Sequence, residues 1–357
     1  MNLKKYFKNK RVIVTGHTGF KGAWLTMILH ILGAKIMGIS LKPNTKPSFF
    51  KILNIEKIVK NNFLDINEKN KLEKKIINFK PDYLFHLAAQ PLINISYEKP
   101  NQTWHTNLIG TINIIEAILK LKKKCICVLV TSDKCYENTE KKSGYIESDR
   151  LGGVDPYSAS KAAAEIAFRS YYVSFLKNSK HKLATARAGN VIGGGDWNSG
   201  RIIPDCVIMA SRNKAVNIRN INSSRPWQHV IEIVCGYLNL AISLNKNEKL
   251  NGQNFNFGPI KRKIVKVSEI LIKIKKTWPK FHWKLSKIKE VKNETNLLVL
   301  NCEKSKKKLK WNLKLSFNQT LDLTLEWYKF YYKNKNNTKK MIFFTKNQIK
   351  EYLELLS

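Results

Sequence analysis

Arg11-Val-Ile-Val-Thr-Gly-His-Thr-Gly-Phe-Lys-Gly22 decides the fold, because it leads a short apolar strand directly into a glycine-rich turn. An apolar helix follows the turn as far as Leu32, and Gly33 terminates it. Glycines in such a turn let backbone amides approach a pyrophosphate at the helix N-terminus, where the helix dipole favours negative charge. The order of strand, turn and helix therefore predicts a dinucleotide-binding site.

The turn departs from the usual dinucleotide fingerprint in its glycine spacing and in the presence of His17 and Lys21. No acidic residue follows the second predicted strand, where a carboxylate would normally hold the adenosine ribose hydroxyls. Lys42 is interpreted as a solvated side chain, so we expect NAD rather than NADP, held weakly. The groups left for the ribose are Ser40, Asn44, Thr45 and the backbone.

Apolar and helical stretches alternate through the first half of the chain. This alternation predicts an α/β fold with a Rossmann-type, doubly wound parallel sheet that is covered on both faces. The predicted strands are residues 11–15, 35–41, 82–87, 125–132 and 182–187. The predicted helices are residues 20–32, 103–121 and 157–176.

Beyond the fifth predicted strand the pattern loosens into glycine loops and shorter elements, which predicts a smaller C-terminal substrate-binding lobe. We expect a Rossmann domain over residues 1–183 and a substrate lobe over most of residues 184–330, with segments that return to the first domain. Residues 331–357 are expected to form a basic linker and a C-terminal helix.

Tyr157 and Lys161 stand four residues apart in Asp155-Pro-Tyr-Ser-Ala-Ser-Lys161. On a helix begun by Pro156, this spacing places both side chains on one face, about one turn apart. A cation there favours the phenolate, so we expect Tyr157 to act as a base near neutral pH. An isolated Tyr-x-x-x-Lys is usually an exposed helical pair, and the accompanying motifs argue against that interpretation here.

Ser132, Asp133 and Lys134 follow the strand predicted over residues 125–132. The carboxyl end of a parallel strand is where α/β enzymes hold their sites, although an adjacent acid and base can also be a charged surface turn. Acid–base catalysis would require a protonated Asp133 and a partly neutral Lys134. Burial favours both of these states.

Several further motifs accompany these groups. They are His86-Leu-Ala-Ala-Gln90, Trp104-His-Thr-Asn107, Ala186-Arg-Ala-Gly-Asn190, Gly193-Gly-Gly-Asp-Trp197 and Arg225-Pro-Trp-Gln-His-Val230. Together with the glycine turn they resemble the extended short-chain dehydrogenase/reductase family over about residues 8–330. Within that family they are similar to the nucleotide-sugar 4,6-dehydratases that act on CDP-glucose, because Lys134 stands where the dTDP-glucose and GDP-mannose enzymes usually have Glu.

The resemblance implies a hydro-lyase that converts CDP-glucose to CDP-4-dehydro-6-deoxyglucose and water with NAD as a regenerated cofactor, for deoxysugar and surface polysaccharide synthesis. Tyr157 would take the O4 proton, Ser132 would hydrogen-bond the same oxygen, and Lys161 would stabilise the phenolate and the nicotinamide ribose. Asp133 would protonate the departing C6 hydroxyl, and Lys134 or a water it positions would take the C5 proton. Another nucleotide-sugar dehydratase or an epimerase stays open, and Asp133 argues against the epimerase.

The resemblance also implies binding residues. Those for NAD are Gly16, His17, Gly19, Phe20, Lys21, Gly22, Ser40, Asp65, Ile66, Leu87, Ala88, Ala89, Gln90, Asn107, Tyr157 and Lys161. Asp65 is expected either to meet the adenine or to cap a helix, and Asn107 to support the site. Asn190, Arg201, Arg219 and Arg225 are expected to bind the nucleotide sugar, because a guanidinium suits a diphosphate. For Arg219, pairing with a carboxylate that holds a loop is an equal alternative.

The chain of 357 residues carries 64 Lys and Arg against 26 Asp and Glu, a net charge of +38 that usually suggests nucleic acid. Only nine of these basic residues are Arg, and the lysines are dispersed, which indicates a solvated exterior and no specific nucleic-acid partner. Six irregularly spaced cysteines lack zinc-type spacing, so we expect reduced thiols and no metal. Without a recognisable signal peptide or membrane-length apolar run, we expect a cytoplasmic homo-oligomer, a dimer or tetramer, with no membrane partner.

Overall fold

The computed structural model describes residues 2–259, 265–286 and 297–356. In these ranges a seven-stranded sheet forms the centre of the molecule, in the order β11-β6-β5-β4-β1-β2-β3 with every neighbouring pair parallel. The strands are β1 Arg11–Thr15, β2 Lys35–Ser40, β3 Lys60–Phe63, β4 Tyr83–His86, β5 Ile126–Val130, β6 Lys182–Ala188, β7 Val191–Ile192, β8 Val216–Ile218, β9 Ser224–Arg225, β10 Gln228–His229, β11 Asn254–Phe257, β12 Val265–Lys266 and β13 Trp283–Leu285.

Helices cover both faces of this sheet. They are α1 Lys4–Phe7, α2 Phe20–Ile31, α3 Phe49–Ile52, α4 Lys69–Phe79, α5 Ile93–Glu98, α6 Pro100–Trp104, α7 Gly110–Leu119, α8 Pro156–Tyr171, α9 Ile202–Ser211, α10 Val230–Lys246, α11 Val267–Thr277, α12 Glu303–Leu309, α13 Phe317–Asn334 and α14 Thr338–Glu354. Short 3₁₀ turns occur at Ile55–Lys57, Asp133–Cys135 and Glu248–Leu250, and π-helical segments at His105–Ile109 and Tyr172–Leu176.

Alternation along the strands divides the core between the two faces. On β1, Val12 and Val14 belong to one apolar cluster, whereas Ile13 belongs to the other, as the two-residue period of a strand requires. Both clusters are buried, so the sheet is covered on both sides. The doubly wound α/β fold predicted from the sequence is confirmed.

Two sheet strands lay outside the predicted set. β3 reads Lys-Asn-Asn-Phe and none of its residues is buried, so it carries no apolar signal. β11 comes from the second half of the chain and pairs with β6 at the sheet edge. The predicted strand over 125–132 is shorter than expected: β5 ends at Val130, and a 3₁₀ turn then begins at Asp133.

The second half of the chain contributes to the cover of the sheet as well as to its edge. α10 packs against α2, β5 and β6, and α14 packs against α13 and α2. The division into lobes at residues 183 and 330 stays a prediction. In that division, α10 and β11 are the segments of the second half that return to the first domain. No helix in the described ranges is long and apolar enough to cross a membrane.

Candidate active site

The candidate site lies at the carboxyl edge of the central sheet. The turn after β1, the loop after β4 and the 3₁₀ turn after β5 all leave the sheet at this edge, because parallel strands share one direction. α8 packs against the 3₁₀ turn and brings a fourth element to the same place. This is the edge at which α/β proteins bind ligands.

α8 begins at Pro156 and is capped by Asp155, whose carboxylate accepts hydrogen bonds from the backbone and the hydroxyl of Ser158 at 2.9 and 2.6 Å. Proline suits the first helical position, and aspartate is a preferred cap. The helix buries Tyr157 and Lys161, which are 8% and 5% exposed. The predicted helix and its spacing are therefore confirmed, and the pair is not an exposed surface pair.

The ionisation of Tyr157 differs from the expectation. Burial raises the pKa of Tyr157 to about 12, with hydrogen bonding to Ser132 and the charge of Arg201 opposing the rise. The cost of burying a phenolate is therefore larger than these opposing influences, and the role of Tyr157 as a base near neutral pH stays a prediction. Burial and the nearby Lys21 ammonium in turn lower the pKa of Lys161 to about 8.

The 3₁₀ turn after β5 places Ser132 and Asp133 together. Ser132 accepts a hydrogen bond from the Lys134 backbone at 3.3 Å and donates one to Asp133 Oδ1 at 3.0 Å. Asp133 is 6% exposed, and a Cβ on Gly189 would lie 3.2 Å from its Oδ2. Burial raises the pKa of Asp133 against the opposing influence of Lys134, which is the direction an acid requires.

The glycine turn is closely packed against its surroundings. Gly16 has a positive φ of 72°, and a Cβ there would lie 2.7 Å from the Ala88 nitrogen. A Cβ on Gly22 would lie 2.1 Å from the Gly16 carbonyl oxygen. Gly19 is the N-cap of α2, so the amides of the first helical turn, which have no partner within the helix, open towards the sheet edge. This arrangement fits a pyrophosphate.

His17 and Lys21 have different surroundings within that turn. The ring of His17 is buried against Phe50 and Gly38, with Nε2 2.5 Å from Asn61 Oδ1, so its side chain is occupied within the fold. Burial lowers the pKa of Lys21 to about 8, and the charges that act on this ammonium belong to Arg201, Asp133 and Asp196. Lys21 therefore lies among the catalytic candidates as well as at the glycine turn.

Some of the groups expected to contact the adenosine already form hydrogen bonds within the protein. The Ser40 hydroxyl lies 2.8 Å from the Thr18 hydroxyl. Asp65 accepts a hydrogen bond from the Asn67 backbone at 2.9 Å within the turn that precedes α4. The N-cap of α4 is Glu68, so the alternative that Asp65 caps this helix is wrong. Ile66 is buried beneath Gly110.

The loop after β4 is held from two sides. The Thr15 hydroxyl accepts hydrogen bonds from the backbone of Leu87 and Ala88, both at 3.2 Å. The Asn107 amide exchanges hydrogen bonds with the Gln90 backbone at 2.8 and 3.1 Å and donates one to the Ser160 hydroxyl at 2.9 Å. Asn107 thus joins this loop to α8, as a supporting residue would. Leu87, Ala88, Ala89 and Gln90 are all partly exposed.

The arginines predicted to bind the substrate are not all brought together. Arg201 donates to Asp196 at 2.6 Å, and its charge acts on both Tyr157 and Lys21. Arg225 is half-buried in β9, and its guanidinium donates to the Ser224 carbonyl at 2.9 Å. Arg219 is exposed after β8, where its charge acts on Asp205 of α9. Asn190 is half-buried before β7, and Phe20 packs beside Gly193.

The Gly193–Trp197 segment is built into the core rather than being a free loop. Trp24 of α2 donates its indole hydrogen to the Gly194 carbonyl at 2.9 Å. A Cβ on Gly194 would lie 2.1 Å from the Trp327 ring, which belongs to α13. The C-terminal helices therefore support the segment that carries Asp196, the partner of Arg201.

Sequence reasoning missed a buried network behind the site. Glu165 of α8 and Arg187 of β6 form an ion pair at 2.9 Å, with both side chains nearly inaccessible. Their spacing offered a signal, because Glu165 follows Lys161 by four residues and Arg187 lies in a motif already singled out. His86 was also quoted only as part of a motif; its ring hydrogen-bonds the Thr15 and Thr111 hydroxyls.

Known proteins resemble this chain over most of its length. The family model for GDP-mannose 4,6-dehydratase matches residues 13–324. The CDP-glucose 4,6-dehydratase of Salmonella typhimurium is 37% identical over 355 residues, which cover 98% of each chain. Among solved structures, the UDP-glucose 4-epimerase of Thermus thermophilus in complex with NAD has a TM-score of 0.76 at 21% identity, covering 89% of this chain and 99% of its own. The UDP-glucose 4-epimerase of Stenotrophomonas maltophila with bound NAD and formylated UDP-arabinopyranose has a TM-score of 0.79 at 16% identity, covering 91% and 99%.

The two structural likenesses establish the fold, and the two sequence matches establish the family. The family model spans far more than half of the chain, and the Salmonella relative aligns almost from end to end. The motifs at the sheet edge lie within the matched residues. The chain therefore belongs to the GDP-mannose 4,6-dehydratase family of nucleotide-sugar dehydratases.

Proposed function

We propose that this protein is a CDP-glucose 4,6-dehydratase, a hydro-lyase that uses NAD as a regenerated cofactor. The observation that carries the proposal is the convergence of Ser132, Asp133, Tyr157 and Lys161 at one sheet edge, with Asp133 buried where an acid is needed. The choice of CDP-glucose rests on the Salmonella relative and on Lys134 beside that acid.

The reaction explains why oxidation must come before elimination. The C6 hydroxyl of a hexose is a poor leaving group, and the C5 proton is not acidic, so direct loss of water faces a high barrier. A ketone at C4 makes C5 the position alpha to a carbonyl. NAD, when bound, supplies this chemistry by accepting the C4 hydride and returning it to C6.

The residues of the chain move the protons. Tyr157, as the phenolate that the Lys161 ammonium stabilises, takes the O4 proton, while Ser132, its hydrogen-bonding partner, holds the same oxygen. Asp133 then gives its proton to the departing C6 hydroxyl. Lys134, or a water that it positions, takes the proton from C5 and gives one back to C5 when C6 receives the hydride.

The glycine turn and the loop after β4 are proposed to hold NAD. Gly16, Gly19 and Gly22 shape the turn, and the first amides of α2 with Lys21 face the pyrophosphate. The loop of Leu87, Ala88, Ala89 and Gln90 lies beside the turn, since a Cβ on Gly16 would strike Ala88. Ser40, Asp65 and Ile66 are proposed at the adenosine end, with Asn107 behind the loop.

Arg201 is the strongest candidate for the diphosphate of the substrate among the predicted residues, because its charge already reaches Tyr157. Burial opposes the charge of this guanidinium, and Asp196 raises its pKa above the ordinary value. Arg225 and Asn190 are proposed as further ligands along the same edge. Arg219 is proposed only as a distal contact, because it is exposed.

We propose that two copies of the chain pair through α8. Ile166, Val173 and Phe175, on this helix and its π-helical extension, are about 60% exposed, on a protein whose exterior is otherwise rich in lysine. The neighbouring Trp104 and Ile109 are also exposed. A second copy of the same helix would cover this apolar face. We also propose a cytoplasmic location, because all six cysteines are free thiols buried in the core.

Incubation of the purified protein with CDP-glucose and NAD, followed by mass analysis of the nucleotide sugar, tests the proposal. The expected product has lost one water and retains CDP. A product of unchanged mass with altered stereochemistry would instead establish an epimerase. Parallel incubations with dTDP-glucose and GDP-mannose decide the nucleotide, and faster dehydration of either one would contradict the CDP assignment.

A further inference from the structure

Glu165 extends the catalytic face of α8 by one further turn. It follows Tyr157 and Lys161 at intervals of four residues, which is the spacing of one helix face. Its side chain is inaccessible to solvent, and both carboxylate oxygens are occupied. Oε1 accepts a hydrogen bond from Thr131 at 2.5 Å, and Oε2 accepts bonds from Thr185 and Arg187, each at 2.9 Å.

Arg187 of β6 is bound on its other side as well. Its second terminal nitrogen donates to the Tyr136 hydroxyl at 2.8 Å and to the Glu147 carbonyl at 3.1 Å, with the guanidinium stacked 4.9 Å from the Tyr136 ring. A buried ion pair recovers little more than its own desolvation cost, so it is weak evidence of a contribution to stability. What it does achieve is a fixed geometry between the elements that it joins.

The elements joined by Glu165 are those that carry the reaction. Thr131 directly precedes Ser132, and its backbone donates to the Ala186 carbonyl of β6 at 3.0 Å. The carboxylate therefore connects the helix of Tyr157 and Lys161 to the strand end that carries Ser132 and Asp133. A shift of α8 along the sheet would break these hydrogen bonds together.

The charge of Glu165 also reaches Lys161. Titratable groups face this ammonium from several elements: Lys21 from α2, Cys135 from the 3₁₀ turn, His86 from β4 and Glu165 from its own helix. Lys21 disfavours the ammonium, whereas Glu165 favours it. Glu165 is ionised, because Arg187 and the hydroxyl donors lower its pKa although burial opposes them. Burial lowers the pKa of His86 to about 3, so this ring is neutral.

We propose that Glu165 is a positioning residue for the dehydratase reaction: it fixes α8 against the Ser132 strand end through Thr131, and its negative charge holds Lys161 as an ammonium against Lys21. The reaction itself is the one under Proposed function, on which this inference rests. Glu165 touches no reacting atom, so its effect is transmitted through Thr131 and Lys161.

The pH dependence of kcat/KM for CDP-glucose tests the electrostatic part. In the wild-type protein we expect activity to fall along an alkaline limb near pH 8, to which loss of the Lys161 proton and loss of the Lys21 proton both contribute. Glu165→Gln removes the charge that favours the ammonium, so the limb moves to lower pH. On that limb each unit of displacement lowers kcat/KM about tenfold. An unchanged limb in a folded Glu165→Gln variant overturns this part.

Two further variants separate the electrostatic effect of Glu165 on Lys161 from an effect on folding. Glu165→Gln/Arg187→Gln removes the unpaired buried cation together with the carboxylate, so its melting temperature recovers relative to Glu165→Gln while the limb stays displaced. This double variant also provides the test if the single variant does not fold. Glu232→Gln removes another buried carboxylate, on α10, and leaves the limb in place. An equal displacement in Glu232→Gln, or a limb restored in the double variant, contradicts the proposal.

Thr131→Val tests the positioning part, because it keeps the carboxylate and removes its link to the strand end. We expect kcat to fall, whereas KM and the alkaline limb should stay unchanged. A kcat equal to that of the wild type overturns this part. Titration of Lys161 provides a measurement without turnover: its acetylation by acetic anhydride is followed against pH by peptide mass spectrometry. If the wild type does not dehydrate CDP-glucose, the proposed function fails. Even then, a lower titration midpoint of Lys161 in Glu165→Gln than in the wild type supports this inference. A midpoint identical to that of the wild type overturns it.

Discussion

At the scale of single residues, the site holds its proton donors and acceptors away from their ordinary ionisation. Burial raises the pKa of Tyr157 and Asp133 and lowers that of Lys161 and Lys21. Each shift favours the uncharged form, as desolvation requires. In the chain alone, burial therefore favours the protonated forms of Tyr157 and Asp133 and the neutral forms of Lys161 and Lys21.

Tyr157→Phe is expected to abolish turnover of CDP-glucose, because the oxidation step has no other group that takes the O4 proton. Affinity for the nucleotide sugar should be nearly unchanged, since phenylalanine keeps the ring in its buried position. Turnover and calorimetric binding of CDP-glucose measure the two quantities. Activity retained within about tenfold of the wild type would contradict the assigned base.

Asp133→Asn is expected to allow oxidation of the sugar but to slow elimination by about two to four orders of magnitude, as loss of a general acid does. The reduced cofactor should then accumulate, which absorbance at the NADH wavelength follows after substrate is added. Glu137→Gln changes an exposed carboxylate beyond the same turn, so this variant is the matched control and should turn over normally. Normal turnover by Asp133→Asn would mean that this residue is only a charged turn residue.

The sequence predicts which residues form the site better than it predicts their protonation state. The spacing of Tyr157 and Lys161 follows from local helix geometry, and Asp155 with Pro156 marks the helix start, so both were predictable. The sign of the Tyr157 shift was not, because it depends on tertiary burial rather than on the neighbouring lysine. Glu165 and Arg187 were missed for a related reason: the partners of Glu165 lie far away in the sequence, directly after β5, on β6 and on β11.

At the scale of elements, the glycine turn and the end of β2 determine how the cofactor is held. Gly16 and Gly22 permit the close packing that the turn needs, which the sequence predicted from their position between strand and helix. β3 was missed because its polar residues carry no apolar pattern, and β11 because it enters the sheet from the second half of the chain. The π-helical segments beside α7 and α8 likewise leave no signal in residue periodicity.

The end of β2 leads to a prediction about cofactor affinity. No carboxylate stands there, and the Ser40 hydroxyl is already paired with Thr18. Loss of charge-assisted hydrogen bonds to the ribose should cost about 1.5 to 3 kcal/mol. That corresponds to roughly ten- to hundredfold weaker binding. We expect the purified protein to be partly free of NAD, measured by release and quantification of the nucleotide, and added NAD to raise its activity. Full occupancy after extensive dialysis would show that another group replaces the carboxylate.

At the scale of the whole molecule, the C-terminal helices and the basic exterior set the context of the site. α13 and α14 support the Gly193–Trp197 segment through Trp327, which also donates to Thr345 at 2.9 Å. The lysines, for their part, are dispersed, so mutual repulsion acts over most of the surface whenever two copies approach. A stable pairing needs a face on which apolar contact outweighs that repulsion.

The outer face of α8 meets that need and provides the last prediction. Ile166 and Val173 are 59% and 63% exposed and stand seven residues apart, two turns along one face. Ile166→Lys/Val173→Lys should convert a dimer to monomers, since burying two ammonium groups in an apolar interface is unfavourable. Phe343→Lys on α14 is the matched control, because Phe343 is 67% exposed but lies on another surface. Sedimentation of the three proteins measures the change. A dimer that persists in the double variant, or that dissociates equally in the control, would place the interface elsewhere.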